Sequence, residues 1–120
     1  MLNLVLLTPN TRTADAIEQL TQESGVFNIV LRGSPIPIMA DVFRALHGHD
    51  VAVILVDLGD WEAAFQLVGQ IQRSSSSGLI IGFRPGWNAA EQAEFEAAGI
   101  SGLLHEPFSP FELQAAAYDA

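Results

Sequence analysis

The sequence predicts an α/β domain in which a parallel β-sheet carries helices on both faces. Three observations lead there. Short apolar runs such as LNLVLL and VAVILV recur along the chain, as in strands buried on both faces. Between them lie segments whose apolar residues recur at helical spacing. Five such strands alternate with five such helices over short connections. That alternation demands parallel strands, because each crossover must be right-handed.

Each element has its own local reason. Leu2 to Leu7 is the first strand. Thr13 to Ser24 follows as a helix with Ala14, Ile17 and Leu20 on one face, and Gly25 stops it. Phe27 to Leu31 is the second strand, GSPIP a loop, and Ile38 to His47 the second helix, with Met39, Val42, Phe43 and Leu46 as its stripe. Val51 to Val56, the most hydrophobic strand, belongs at the sheet centre and ends at Asp57. Trp61 to Arg73 is the third helix and Leu79 to Phe83 the fourth strand; the SSSS run at 74–77 between them reads as a loop. Asn88 to Ala98 is a helix capped by Asn88 and closed by Gly99. Leu103 to His105 is the fifth strand. Pro110 to Tyr118 is the last helix, with Ser109 as N-cap and Pro110 at the first helical position.

The bulk numbers bound the function. With 120 residues, nearly half of them apolar, the chain reads as one domain over 1–120 that buries its own core. There is no cysteine, which excludes disulfides and thiolate metal sites and agrees with a reducing cytoplasm. Fourteen acids against five bases give a net charge of −9, which disfavours nucleic acid and anionic membranes as partners. MLNLVLLTPN is too short to span a bilayer and lacks the basic start and cleavage site of a signal peptide.

Open parallel sheets bind ligands beyond the carboxyl ends of their strands. The candidates at that edge are Thr8, Pro9 and Asn10 after the first strand, Asp57 with Gly59 after the third, Arg84 after the fourth and Glu106 after the fifth. Asp57 has a plainer reading as a helix cap, but Asp60 suits that role better. His47, His49 and His105 are scattered and joined by no further ligand, so no metal site is expected from them. Trp61 and Trp87 each open a helix at the rim; Trp61 reads as core cover, and Trp87 is open between cover and partner anchor.

Two segments carry a family resemblance: AGISGLLHEPFSPFEL near the end and HDVAVILVDLGD in the middle. The first is similar to the pattern Ala-Gly-Ala-x-x-Tyr-Leu-x-Lys-Pro-Phe leading into a Ser-Pro-x-x-Leu helix. The second is similar to a strand delivering a phospho-accepting aspartate. Together they make the whole chain resemble the receiver domains of two-component response regulators. The resemblance implies a flavodoxin-like (CheY-like) three-layer sandwich with strand order 2-1-3-4-5. The first and last helices should share one face, the other three the opposite face.

In that family an aspartate takes a phosphoryl group from a histidine kinase, Mg²⁺ is held by acids after the first strand, and a hydroxyl and a lysine hold the phosphate. Asp57 matches the acceptor. The acids are replaced by Thr8 and Pro9, the hydroxyl by Arg84, the lysine by Glu106 and the aromatic switch position by Leu103. Arg84 is expected near Asp57, Glu106 or both, as a guanidinium fork bridging carboxylates.

The resulting expectation is a pseudo-receiver: an interaction module that keeps the fold, is not an enzyme and needs no cofactor. The style of LLTPN, VDLGD and RPG is similar to the N-terminal domains of Tad/Cpa-type pilus-assembly ATPases. The chain ends inside its last helix, at AAAYDA, so it is expected to be part of a longer protein, with an effector or ATPase domain as partner. A homodimer through the fourth helix, fifth strand and fifth helix is a further expectation, with Trp87, Leu103 and Phe111 on the partner face and Leu113 and the alanines beside them. Two alternatives stand beside this one. The first is a working receiver, dependent on Mg²⁺ and phosphorylated on Asp57. The second is a flavodoxin-like FMN binder using Thr8, Asn10, Thr11 and Thr13 around the first helix start, against which Pro9 removes an amide donor. A hydrolase is disfavoured further: there is no Gly-x-Ser-x-Gly elbow, and no His follows a suitable nucleophile.

Overall fold

The computed structural model describes residues 1–33, 39–74 and 78–119. The elements alternate as β1 (Leu2–Leu7), α1 (Thr11–Ser24), β2 (Phe27–Gly33), α2 (Met39–Gly48), β3 (Val51–Asp57), α3 (Trp61–Arg73), β4 (Leu79–Arg84), α4 (Ala89–Ala97), β5 (Gly102–His105) and α5 (Pro110–Asp119). All four strand pairings are parallel and the order is β2-β1-β3-β4-β5, as the resemblance implied. The expected loop at 34–37, the helix start at Ile38 and the serines at 75–77 lie outside the described residues.

The sheet divides the core in two. Val5, Leu7, Ile54 and Val56 face α2, α3 and α4, packing with Val42, Val68, Ile71 and Phe95. Leu4, Leu6, Val53 and Leu55 face α1 and α5, packing with Ala14, Ile17 and Leu113. The alternation along β1 and β3 is the period-two pleat of a strand covered on both sides. Leu113 is fully buried, which corrects its assignment to the outer face of α5; the large apolar residues α5 turns outward are Phe111 and Tyr118, 78% and 61% exposed. Among the described residues no helix is long and apolar enough to cross a membrane.

Element ends follow local chemistry. Asp60 caps α3 and accepts from the Ala63 amide. Asn88 caps α4 in a reciprocal box with Glu91, and Ser109 with Glu112 does the same at α5. α1 starts two residues earlier than expected, at Thr11. Asn10 is its cap, and its carboxamide oxygen accepts from the amides of Arg12 and Thr13. A threonine at the first position is a weak helix former, so the sequence pattern understated the start. Gly25 closes α1 at φ +67°, a left-handed position natural to glycine.

Candidate functional site

The carboxyl edge of the sheet brings Thr8, Asp57, Arg84 and Glu106 to one end of the molecule. β1 delivers Thr8, which is 1% exposed, and its amide donates to the Gly33 carbonyl at the end of β2. β3 delivers Asp57. The next residue, Leu58, turns back under the edge: its amide donates to the Phe83 carbonyl, and its side chain fills space over Gly82, where an added Cβ would collide with it. Asp57 is thereby held at the rim while Leu58 is fully buried.

Asp57 is internally engaged. The Thr8 hydroxyl donates to its Oδ2 at 2.7 Å, and the Gly59 amide to its Oδ1 at 2.8 Å. The Thr8 oxygen also accepts from the Asn10 amide at 3.2 Å. β5 ends beside this cluster, with the Glu106 amide donating to the Arg84 carbonyl and the Glu106–Pro107 peptide cis. The Glu106 carboxyl is half-buried. Desolvation and the nearby Asp57 charge push its pKa above the usual carboxylate range.

Arg84 does not join this pair, contrary to expectation. Its Nη1 lies 3.0 Å from Glu91 Oε2, and its guanidinium carbon 5.8 Å from the Phe95 ring centre. The capping box explains the choice. Glu91 Oε1 accepts from the Asn88 amide, so the carboxylate is already fixed on the first turn of α4 with its other oxygen facing Arg84. An oriented carboxylate together with an aromatic face holds the guanidinium on α4.

Rings line the same side of the domain. Phe65, Trp61, Phe95, Trp87 and His105 follow one another with centroid separations of 5.6, 4.7, 6.5 and 4.0 Å. Trp61 and Trp87 both pack against the core, and Trp87 also lies nearly flat on His105 at 27°. Leu103 is half-buried against that core and Phe111 is exposed. The parallel register sets Arg84 opposite His105, which brings Trp87, a few residues further on, to the β5 edge. No local sequence signal links Trp87 to His105; strand pairing alone joins them. His105 entered the sequence reading only as a possible metal ligand, and Glu91 and Phe95 were not singled out as site residues.

Comparison with solved structures gives the fold its context. A response regulator from Thermotoga maritima superposes with a TM-score of 0.79 at 14% identity, over 99% of this chain and 96% of that one. The receiver domain of a sensor histidine kinase from Pseudomonas aeruginosa, solved with a magnesium ion in its active-site cleft, gives 0.76 at 17% identity over 98% and 95%. A putative pilus-assembly protein from Burkholderia thailandensis gives 0.76 at 15% identity over 98% and 99%.

This chain has the receiver fold.

No family model matches it, and no curated protein sequence does. Within the receiver fold, the residues at the edge can be tested against magnesium. Mg²⁺ wants oxygen ligands in near-octahedral array and is commonly held through carboxylates. Here the Thr8 hydroxyl is spent on Asp57, Pro9 carries no donor, and among the described residues no three acids or histidines converge. This donor set does not fit a magnesium cage. The FMN alternative also meets an obstacle: the Arg12 and Thr13 amides at the start of α1, which a phosphate would need, already donate to Asn10.

Proposed function

We propose that this domain is a pseudo-receiver, an interaction module of two-component signalling type that works without Mg²⁺-dependent phosphorylation of Asp57. The observation carrying this reading is the pair of neighbouring carboxylates, Asp57 and Glu106, with Glu106 feeling the charge of Asp57. Glu106 stands near Asp57, where a transferred phosphoryl group would bring further negative charge, and among the described residues no Lys, Arg or His forms a salt bridge with either. Catalysis of phosphoryl transfer rests on positive charge around an anionic transition state. The edge of this sheet is built with the opposite sign. Loss of chemistry leaves a constant surface. α4 is held by its capping box, by the Arg84–Glu91 pair and by the rings around Phe95, and so presents one arrangement for a partner.

The partner is a protein: an effector or ATPase domain on the same polypeptide, or a separate protein bearing positive charge, in the cytoplasm. The fold shared with a pilus-assembly protein supports the first source, and the acidic surface supports a basic partner. A working receiver is the second reading, favoured by the retention of Asp57 at the end of β3. Incubation with acetyl phosphate or beryllofluoride in Mg²⁺, followed by intact mass and amide NMR shifts, separates the two. The pseudo-receiver keeps its mass and spectrum. Uptake of phosphate at Asp57 overturns the reading.

A further inference from the structure

The side of the domain formed by α4, β5 and α5 is chemically one-sided. After Arg84 the sequence contains no Lys or Arg, while Glu91, Glu94, Glu96, Glu106, Glu112 and Asp119 all follow. Arg84 itself is committed to Glu91. A groove of about 320 Å³ lies on this side between α4 and β5, lined by Trp87, Gln92, Glu96, Ser101, Leu103 and His105 among others. Its polar groups are ordered in a line. The Trp87 indole N–H donates to Gln92 Oε1 at 3.4 Å, and the Gln92 amide donates to Glu96 Oε1 at 3.0 Å. Gln92 thus fixes the Glu96 carboxylate beside the groove, and among the described residues no cation pairs with it. The groove therefore offers a stacked pair of flat rings, an oriented carboxylate and the apolar Leu103 together.

We propose that this groove is an arginine-accepting slot, through which the domain holds an arginine-bearing segment of a separate basic protein. The proposal rests on the reading of the domain as an interaction module and names the chemistry of its partner. A guanidinium is flat, weakly hydrated and always charged; it stacks on aromatic faces and accepts a carboxylate at its edge. A lysine ammonium makes the second contact and gains less from the first. An anionic ligand meets Glu96, and an apolar one leaves that carboxylate desolvated. A second copy of this chain is disfavoured, because a symmetric contact would set this acidic side against itself.

The test titrates the ¹⁵N-labelled domain with a short capped Gly/Ser peptide carrying a pair of arginines. The same peptide with citrulline, which keeps the shape and loses the charge, and with lysine serve as comparisons. The expected result is a shift of the Trp87 indole N–H and of the α4 and β5 amides. Affinity should fall severalfold for lysine and become undetectable for citrulline. Glu96→Gln should weaken binding about fivefold, whereas Glu62→Gln, the same loss of charge on α3, should leave it nearly unchanged.

Several results would overturn the slot: equal binding of the citrulline peptide, equal loss in both glutamine variants, or shifts confined to the Asp57–Glu106 edge. Groove signals that move with protein concentration alone would make the occupant a second copy and overturn the separate partner. Repeating the titration on Asp57→Asn keeps the two readings apart. Phosphate uptake at Asp57 in the parent, with the groove shifts intact in this variant, overturns the pseudo-receiver and not the slot. A parent that stays unphosphorylated and binds the citrulline peptide as well as the arginine one overturns the slot alone.

Discussion

Glu106 follows β5, half-buried and close enough to Asp57 to feel its charge, so the proposed loss of phosphoryl chemistry turns on this one residue. Burial and the Asp57 charge both disfavour its ionised form, so its pKa lies above the ordinary 4.5. The folded state therefore holds this proton more tightly than the unfolded chain does. Stability from this group is present below pH 4.5 and is lost as pH rises through the folded-state value. Glu106→Gln removes the loss. The variant should match the parent at pH 4 and exceed it at pH 7, by less than about 1 kcal/mol because solvent screens a half-exposed group. Urea unfolding at both values checks this, and a variant less stable than the parent at pH 7 would mean that the carboxylate has a favourable partner. Asp57 is held differently: the Thr8 hydroxyl and the Gly59 amide both donate to it, and among the described residues no cation pairs with it.

The helices and strands were legible in the sequence because their signals are local. Runs of Leu, Ile and Val gave the strands, and Asp60, Asn88 and Ser109 gave helix starts, since a cap acts on amides two or three residues away. The destination of Arg84 was not legible. Asp57 and Glu106 were the expected partners, and Glu91 was not considered; its orientation, imposed by its own capping box, is what draws Arg84 to α4. Leu113 was misassigned for a related reason: the run of alanines after it flattens the apolar stripe that would have marked the inner face of α5. The element most affected is α4, whose buried residue is Phe95 alone. With so small an anchor, the Arg84 bridge and the flanking rings carry much of its docking. Arg84→Ala should speed hydrogen exchange along α4 while lowering global stability by no more than about 1 kcal/mol. Unchanged exchange in α4 would assign its docking to the rings alone.

At the scale of the whole molecule the governing fact is the charge of −9 and its distribution, with every Lys and Arg position at or before Arg84. The opposite end of the chain supplies α4, β5 and α5, the side on which self-association was expected and on which Phe111 and Tyr118 lie exposed two helical turns apart. Two forces then oppose each other. Burial of these rings against a copy is favourable by roughly 25 cal/mol per Å². Bringing two acidic sides together is unfavourable over a screening distance of about 10 Å at 0.1 M salt, and of about 3 Å at 1 M. Self-association should accordingly be absent at low salt and strengthen as salt is added. Capture of a basic partner should weaken over the same range. Sedimentation of the domain alone at low and high salt checks the first trend, and the arginine-peptide titration at the same two salts checks the second. A dimer already formed at low salt would mean that the aromatic faces outweigh the repulsion, and the self-contact would then displace the basic partner as the occupant of this side.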